Sequence, residues 1–91
     1  MLSIVVEPAG DAVYVHADLA GLEALERAVS ALRQRVAAGH CEDSHLFTPA
    51  WGGNELTESM LSQERSSGCS QVHHLKFFGW TDEWSRKHGL A

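Results

Sequence analysis

The chain begins with a strongly apolar set, Leu2, Ile4 and Val6, that alternates with Ser3, Val5 and Glu7. A period of two is typical of a strand with one apolar face. Residues 8–11 form a turn of the Pro-Ala-Gly-Asp type, and the alternation returns over residues 12–17. These two strands are close enough in sequence to predict an antiparallel hairpin.

Apolar residues recur every three or four positions over residues 19–38, and a helix is predicted there. One apolar stripe is formed by residues spaced 3, 4, 3 and 4 positions apart: Leu22, Leu25, Val29, Leu32 and Val36. Asp18 is placed to cap the helix at its start, and Gly39 to close it at its end. We expect the stripe to pack on the sheet of the same domain, with a seam between two copies of the chain as the alternative.

The second half of the chain contains two more predicted strands, at residues 41–48 and 70–78. Regular alternation in the fourth strand places Leu75 and Phe77 on one face, and Val72 and Phe78 on the other. A strand that is apolar on both faces is typical of a central position in a sheet.

The segment between these strands, residues 52–67, is polar and is predicted to be mostly loop. A short helix within it is supported by three apolar residues: Leu56, Met60 and Leu61. A last short helix begins after Thr81, which is a good N-cap, with Trp84 facing inward.

These elements predict one α+β domain over residues 1–91, in the order β-β-α-β-β-α. Grouped hairpins favour a four-stranded, mainly antiparallel sheet with the long helix packed on one face. The other face would stay partly open for a partner.

Seven basic and twelve acidic residues give a net charge of −5. This balance argues against nucleic acid, whose binding requires a basic surface, and suits a basic protein partner. No apolar run approaches the roughly 20 residues of a membrane span, and the N-terminus lacks the pattern of a signal peptide. We therefore expect a cytoplasmic protein without membrane contact. Cys41 and Cys69 are expected to be free thiols in a reducing compartment.

Histidines are the first candidates for chemistry, because His45, His73 and His74 all fall on predicted strands. Pairing of strands three and four would bring His45 near one of the other two, with Cys41 at the strand end. Our main interpretation is that these are half-buried strand histidines and that no metal or other cofactor is bound. A metal site formed by His45, His73, His74 and Cys41 is the alternative, although the usual zinc-binding spacings are absent.

The sequence gives little support to other catalytic arrangements. Cys69 precedes His73 by four residues, which is about 13 Å along a strand and too far for a nucleophile and its base. The carboxylates Glu55 and Glu58 have no neighbouring apolar pocket in the sequence, and such pairs are usually solvated. We therefore expect no enzymatic activity, with a small metal- or cysteine-dependent enzyme as the alternative.

A proline and two glycines surround Trp51. Pro49 ends the third strand, because it has no amide donor and disfavours helix in the residue before it. Gly52 and Gly53 permit backbone angles closed to other residues. A large ring beside them indicates a fixed loop, in which Trp51 belongs either to the core or to an interface.

Residues 45–56, His-Leu-Phe-Thr-Pro-Ala-Trp-Gly-Gly-Asn-Glu-Leu, resemble the "strand, then W-G-G-x-x-L" segment of the immunity protein 32 family. Residues 72–80 resemble the following strand of that family, and the resemblance covers roughly residues 43–80. It implies a small α+β protein of a bacterial polymorphic toxin system, which neutralises a cognate toxin by binding and is not an enzyme. The family features fall on six positions: Trp51, Gly52, Gly53, Leu56, His74 and Leu75.

The resemblance and the acidic charge together predict that the protein covers the active site of a basic toxin. The candidate partner-binding residues are Trp51, Gly52, Gly53, Asn54, Glu55 and Glu58. A structural homodimer, formed through exposed strand edges or the helix stripe, is the remaining alternative.

Overall fold

A computed structural model describes all 91 residues and shows an α+β fold with antiparallel strands. Apart from a 3-10 helix at Pro49–Trp51, the elements in chain order are β1 (Leu2–Val6), β2 (Val13–Ala17), α1 (Leu19–Ala37), β3 (Glu42–Phe47), α2 (Ser62–Ser66), β4 (Ser70–Gln71), β5 (His74–Gly79) and α3 (Asp82–Lys87).

The strands form two sheets. The predicted hairpin is confirmed: β1 and β2 pair from Leu2 opposite Ala17 to Val6 opposite Val13. Strand β4 pairs with the other edge of β1, which gives the order β2-β1-β4. Strands β3 and β5 form a separate antiparallel pair. The prediction of one four-stranded sheet is therefore wrong, because the predicted fourth strand is split into β4, which joins the first sheet, and β5, which pairs with β3. The predicted order β-β-α-β-β-α is also wrong, since α2 and a fifth strand lie between β3 and α3.

The split occurs at Val72 and His73, whose backbones hydrogen-bond to different parts of the chain. The backbone N–H of Val72 donates to the carbonyl of Ile4 at 2.9 Å, and the carbonyl of His73 accepts from the N–H of Thr48 at 3.0 Å. One residue thus bonds to the first sheet and the next to the second. The same chain segment consequently serves two sheets without running straight through either.

This break shifts the alternation of side chains by one position. Val72, Leu75 and Phe77 all pack against the same core cluster, although a regular strand would separate the first from the other two. The prediction that Val72 shares a face with Phe78 is therefore wrong.

Helix α1 has the predicted ends. The Asp18 side chain accepts from the N–H of Gly21 at 2.9 Å, and Gly39 has a φ of 94°. The predicted stripe is only partly covered, because Leu22 and Val29 remain 54% and 48% exposed. The other three residues of the stripe do contact the sheets: Leu25 packs against the core cluster, and Leu32 and Val36 lie against Gly79 of β5. Gly21 and Ala28, beside the stripe, extend this contact. The small sheets do not reach the flank that carries the two exposed residues.

The core is small, with nine buried residues in a molecule that measures 44 × 28 × 23 Å. Its apolar centre is the cluster of Leu2, Ile4, Leu46 and Leu56. Three of these come from strands, whereas Leu56 comes from the connection after the 3-10 helix. That connection is therefore an anchored part of the fold.

Helix α2 and the residues before it cover the face of the three-stranded sheet that α1 leaves free. Ser3 donates its hydroxyl to the carbonyl of Ser59, and the His16 ring nitrogen Nε2 lies 2.8 Å from Glu64. Glu64 also accepts the N–H of Leu61 at 3.1 Å, which fixes the start of α2. The pair β3–β5 has no such cover on its second face.

The contact between His16 and Glu64 predicts part of the acid sensitivity of the fold. The hydrogen bond from His16 holds the pKa of Glu64 below its ordinary value of 4.5. A lowered folded-state pKa gives stability that is present above the ordinary value and is lost as the pH falls through the folded-state value. We expect Glu64→Gln to be less stable than the wild type at pH 7, and the difference to close in acid. Urea unfolding of both proteins from pH 7 to pH 3 measures this, and a difference that does not vary with pH would contradict it.

Candidate functional site

The uncovered face of β3 and β5 carries polar and aromatic side chains from both strands. Three cross-strand pairs define it: Asp43 with Phe78, His45 with Lys76, and Phe47 with His74. Side chains alternate between the two faces of a strand, and Leu46 and Leu75 face the core. These six side chains are therefore on the other face of the sheet. We call this set of six residues the open face.

Two histidines meet on the open face. The Nδ1 atom of His45 lies 2.8 Å from the Nε2 atom of His74, and the Nε2 atom of His45 lies 3.2 Å from a carboxylate oxygen of Asp43. The Phe47 ring stacks on His74, with 4.3 Å between the ring centroids. The prediction that His45 lies near one of the two adjacent histidines is confirmed.

The loop after β3 presents Trp51 at the surface in a fixed position. The indole is 60% exposed, yet it stacks on the ring of His73 with an interplanar angle of 2°. His73 in turn hydrogen-bonds the buried hydroxyl of Thr48 at 2.8 Å, and the N–H of Trp51 donates to the carbonyl of Thr48 at 2.9 Å. The interpretation of Trp51 as a core residue is therefore wrong, and its place in an interface stays a prediction.

The two glycines after Trp51 shape the loop backbone. Gly52 has a φ of 89°, a conformation that favours glycine. At Gly53 an added Cβ would lie 2.5 Å from the Cβ of Phe47, so the backbone packs against this residue of the open face. The glycines therefore act on the shape of the loop, and the loop borders the open face.

The carboxylates of the predicted partner-binding set are turned toward their own loop. Glu55 accepts the N–H of Asn54 at 2.8 Å, a hydrogen bond that lowers the pKa of the Glu55 carboxyl. Glu58 accepts the N–H of Ala50 at 2.7 Å, across the base of the 3-10 helix. Both acids therefore stabilise the loop that holds Trp51. Among the six predicted residues, Trp51 and Asn54 are the exposed ones whose side chains make no such backbone hydrogen bond.

Of the four residues in the alternative metal site, the structure brings two together. His45 and His74 are in contact, whereas His73 bonds to Thr48 and the thiol of Cys41 lies 3.8 Å from the hydroxyl of Thr81. No group of three or more histidine, cysteine or acidic side chains is arranged to hold a metal ion. Any ion at the histidine pair would need further ligands from water or another molecule.

A run of stacked rings extends from the open face to the C-terminal helix. Phe78 stacks on Trp80, Trp80 on Trp84, and Trp84 on His88, with centroid distances of 5.3, 3.7 and 3.9 Å. Thr81 caps α3 as predicted, because its hydroxyl accepts the N–H of Trp84 at 3.2 Å. This run of rings was not predicted, although the spacing of Phe78 and Trp80 in the sequence continues the alternation of the open face.

Comparison with protein-family models, with curated proteins and with solved structures finds no match to this chain. None of its helices combines the length and the apolar character needed to cross a bilayer. The geometry of the loop, the open face and the charge of the chain are therefore the basis for a functional proposal.

Proposed function

We propose that this chain is a cytoplasmic immunity-type protein, which neutralises a cognate bacterial toxin by covering its active site. The observation that carries the proposal is Trp51, whose indole is 60% exposed while its position is fixed by His73 and the 3-10 helix. Tryptophan is enriched among the few residues that dominate binding energy, and a ring already held in place loses little conformational freedom on binding.

The surroundings of Trp51 suit such a role. Gly53 packs on Phe47, so the loop and the open face can be covered by one partner surface. Asn54 is exposed beside the tryptophan and offers an amide to a partner. The net charge of −5 would attract a basic toxin and speed its association. Glu55 and Glu58 contribute indirectly, because they hold the loop in shape.

The test uses the product of the neighbouring gene as the candidate toxin, with purified chain added in a pull-down and in an assay of toxin activity. We expect Trp51→Ala to weaken binding by about 30-fold or more, which corresponds to about 2 kcal/mol for an interface anchor. Leu19→Ala is the matched control, because Leu19 is also an exposed large apolar residue but lies at the start of α1.

Circular dichroism should show the same folded state for both variants, because each removes an exposed side chain. Unchanged inhibition by Trp51→Ala would overturn the assignment of the binding surface. Absence of binding to every effector encoded next to the gene would overturn the immunity function itself.

Self-association is the second candidate function, and it is favoured by the edge strand β2. Val13, Tyr14 and Val15 are exposed there, and β2 contains neither proline nor lysine to discourage pairing with another strand. An antiparallel pairing of two β2 strands would join two copies into a six-stranded sheet. A monomer mass that stays constant over a wide range of protein concentration would remove this candidate.

A further inference from the structure

We propose that His45 and His74 form the protein half of a binding site for a divalent transition-metal ion such as Zn²⁺. The proposal rests on the geometry of the open face and does not depend on the proposed immunity function. Two ring nitrogens from different strands point at each other across 2.8 Å, at a partly exposed position that an ion can reach.

The separation of the two nitrogens is close to that in a metal site. Zinc binds imidazole nitrogen at about 2.0–2.1 Å, so two nitrogens at a tetrahedral angle are about 3.3 Å apart. The pair at 2.8 Å would have to open by roughly half an ångström, which small side-chain rotations provide. The sheet register fixes both residues on the same face, because His45 lies opposite Lys76 and His74 opposite Phe47.

Asp43 gives His45 the orientation that a metal ligand needs. Its carboxylate lies 3.2 Å from the Nε2 atom of His45 and can only accept a proton, so it favours the tautomer with the proton on Nε2, which leaves a lone pair on Nδ1 for a metal ion. Metal-bound histidines commonly have a carboxylate partner of this kind on the other ring nitrogen. In that tautomer the Nε2–H of His74 would donate to Nδ1 of His45 in the metal-free protein. Metal binding would then require a change of tautomer at His74, in which Nε2 gives its proton to water and Nδ1 takes one from water, so that the ring stays neutral and Nε2 has a lone pair for the ion.

The rings and charges around the pair are compatible with an ion. Phe47 stacks on both histidines, at centroid distances of 5.8 Å from His45 and 4.3 Å from His74, and so holds the rings in place. Lys76, which lies across from His45 in the sheet, has its amine 3.6 Å from the second oxygen of Asp43 and 4.8 Å from the Phe78 ring centroid. Two imidazoles with water in the other positions suit zinc, copper or nickel, and not magnesium or calcium.

The experiment is a titration of the tag-free full chain with ZnCl₂ by calorimetry, followed by EPR of the Cu²⁺ complex. We expect one equivalent of Zn²⁺ to bind and the copper spectrum to show two imidazole nitrogens. His45→Ala and His74→Ala should each weaken zinc binding at least tenfold, whereas His40→Ala, an exposed histidine outside the pair, should have no effect.

Asp43→Asn tests the positioning role of the carboxylate. It should lower zinc affinity by about tenfold while the copper complex keeps two nitrogen ligands, because outer partners typically change affinity by that factor. His45→Asn and His74→Gln repeat the test with polar side chains, in case an alanine variant folds poorly. Absence of zinc binding in the wild type, or equal binding by the His40, His45 and His74 variants, would overturn the proposed site.

Discussion

Leu56→Ala should lower the free energy of unfolding by about 2–4 kcal/mol, although Leu56 lies outside every helix and strand. The side chain is 1% exposed and packs with Leu2, Ile4 and Leu46 in a core of very few residues. Truncation removes apolar contacts and leaves a cavity that the surrounding strands cannot fill. A domain of this size shifts its melting temperature by about 4–8 °C per kcal/mol, so a decrease of roughly 8–32 °C is expected.

Leu61→Ala is the matched control for this prediction. It makes the same chemical change five residues further along the same connection, at a side chain that is 53% exposed. Exposed substitutions usually change stability by no more than about 0.5 kcal/mol. Urea unfolding of the two variants beside the wild type measures the difference. A loss below about 1 kcal/mol for Leu56→Ala, or equal losses in both variants, would show that the connection is not anchored in the core.

The ends of the elements were the most predictable part of this fold, because they depend on local chemistry. Asp18 accepts the N–H of Gly21, and Thr81 accepts the N–H of Trp84, as expected of N-caps. The hairpin of β1 and β2 follows in the same way from the alternation of apolar residues and the short turn. Each of these features is fixed by residues within a few positions in the sequence.

The division into two sheets was not predictable from local patterns. It depends on hydrogen bonds from Val72 to Ile4 and from Thr48 to His73, which join residues far apart in the chain. The sequence does carry one sign of the break, because the core-facing residues Val72, Leu75 and Phe77 are spaced by three and then two positions, with two histidines between the first and second. That spacing alone does not show which sheet each half of the segment joins. The partial exposure of the helix stripe has a similar origin, because coverage depends on the width of the sheets.

The candidate site was predictable in its parts but not in its arrangement. Sequence patterns placed His45 and His74 on paired strands, and their contact at 2.8 Å agrees. Glu55 and Glu58 were predicted to contact a partner, whereas in the structure they accept hydrogen bonds from backbone N–H groups of the loop. A polar loop sequence does not reveal whether its carboxylates face solvent or its own backbone. Only the fold shows that the Trp51 ring is exposed and that the two carboxylates hydrogen-bond to the backbone of the loop around it.

Gly21→Ala should destabilise the protein by about 2–3 kcal/mol, although alanine has a higher helix propensity than glycine. In an exposed helix interior the same substitution is favourable by about 0.8–1 kcal/mol. Here an added Cβ would lie 1.8 Å from the carbonyl oxygen of Met1 and 3.2 Å from the Cβ of Ala17. Met1 has little room to move away, because its carbonyl accepts the N–H of Asp18 and the next residue, Leu2, is fully buried. The helix must therefore separate from the first hairpin.

The sign of the change in the free energy of unfolding shows whether close packing or helix propensity dominates at position 21. Gln34→Ala in the same helix serves as the control, because Gln34 is exposed and only its propensity matters; we expect a change within about 0.5 kcal/mol. Equilibrium unfolding measures both variants, and amide exchange in β1 should accelerate in Gly21→Ala alone. A Gly21→Ala protein that is more stable than the wild type would mean that α1 does not rest on the backbone of Met1, just before β1. The close contact between the long helix and the N-terminal strand is thus open to a direct test by one methyl group.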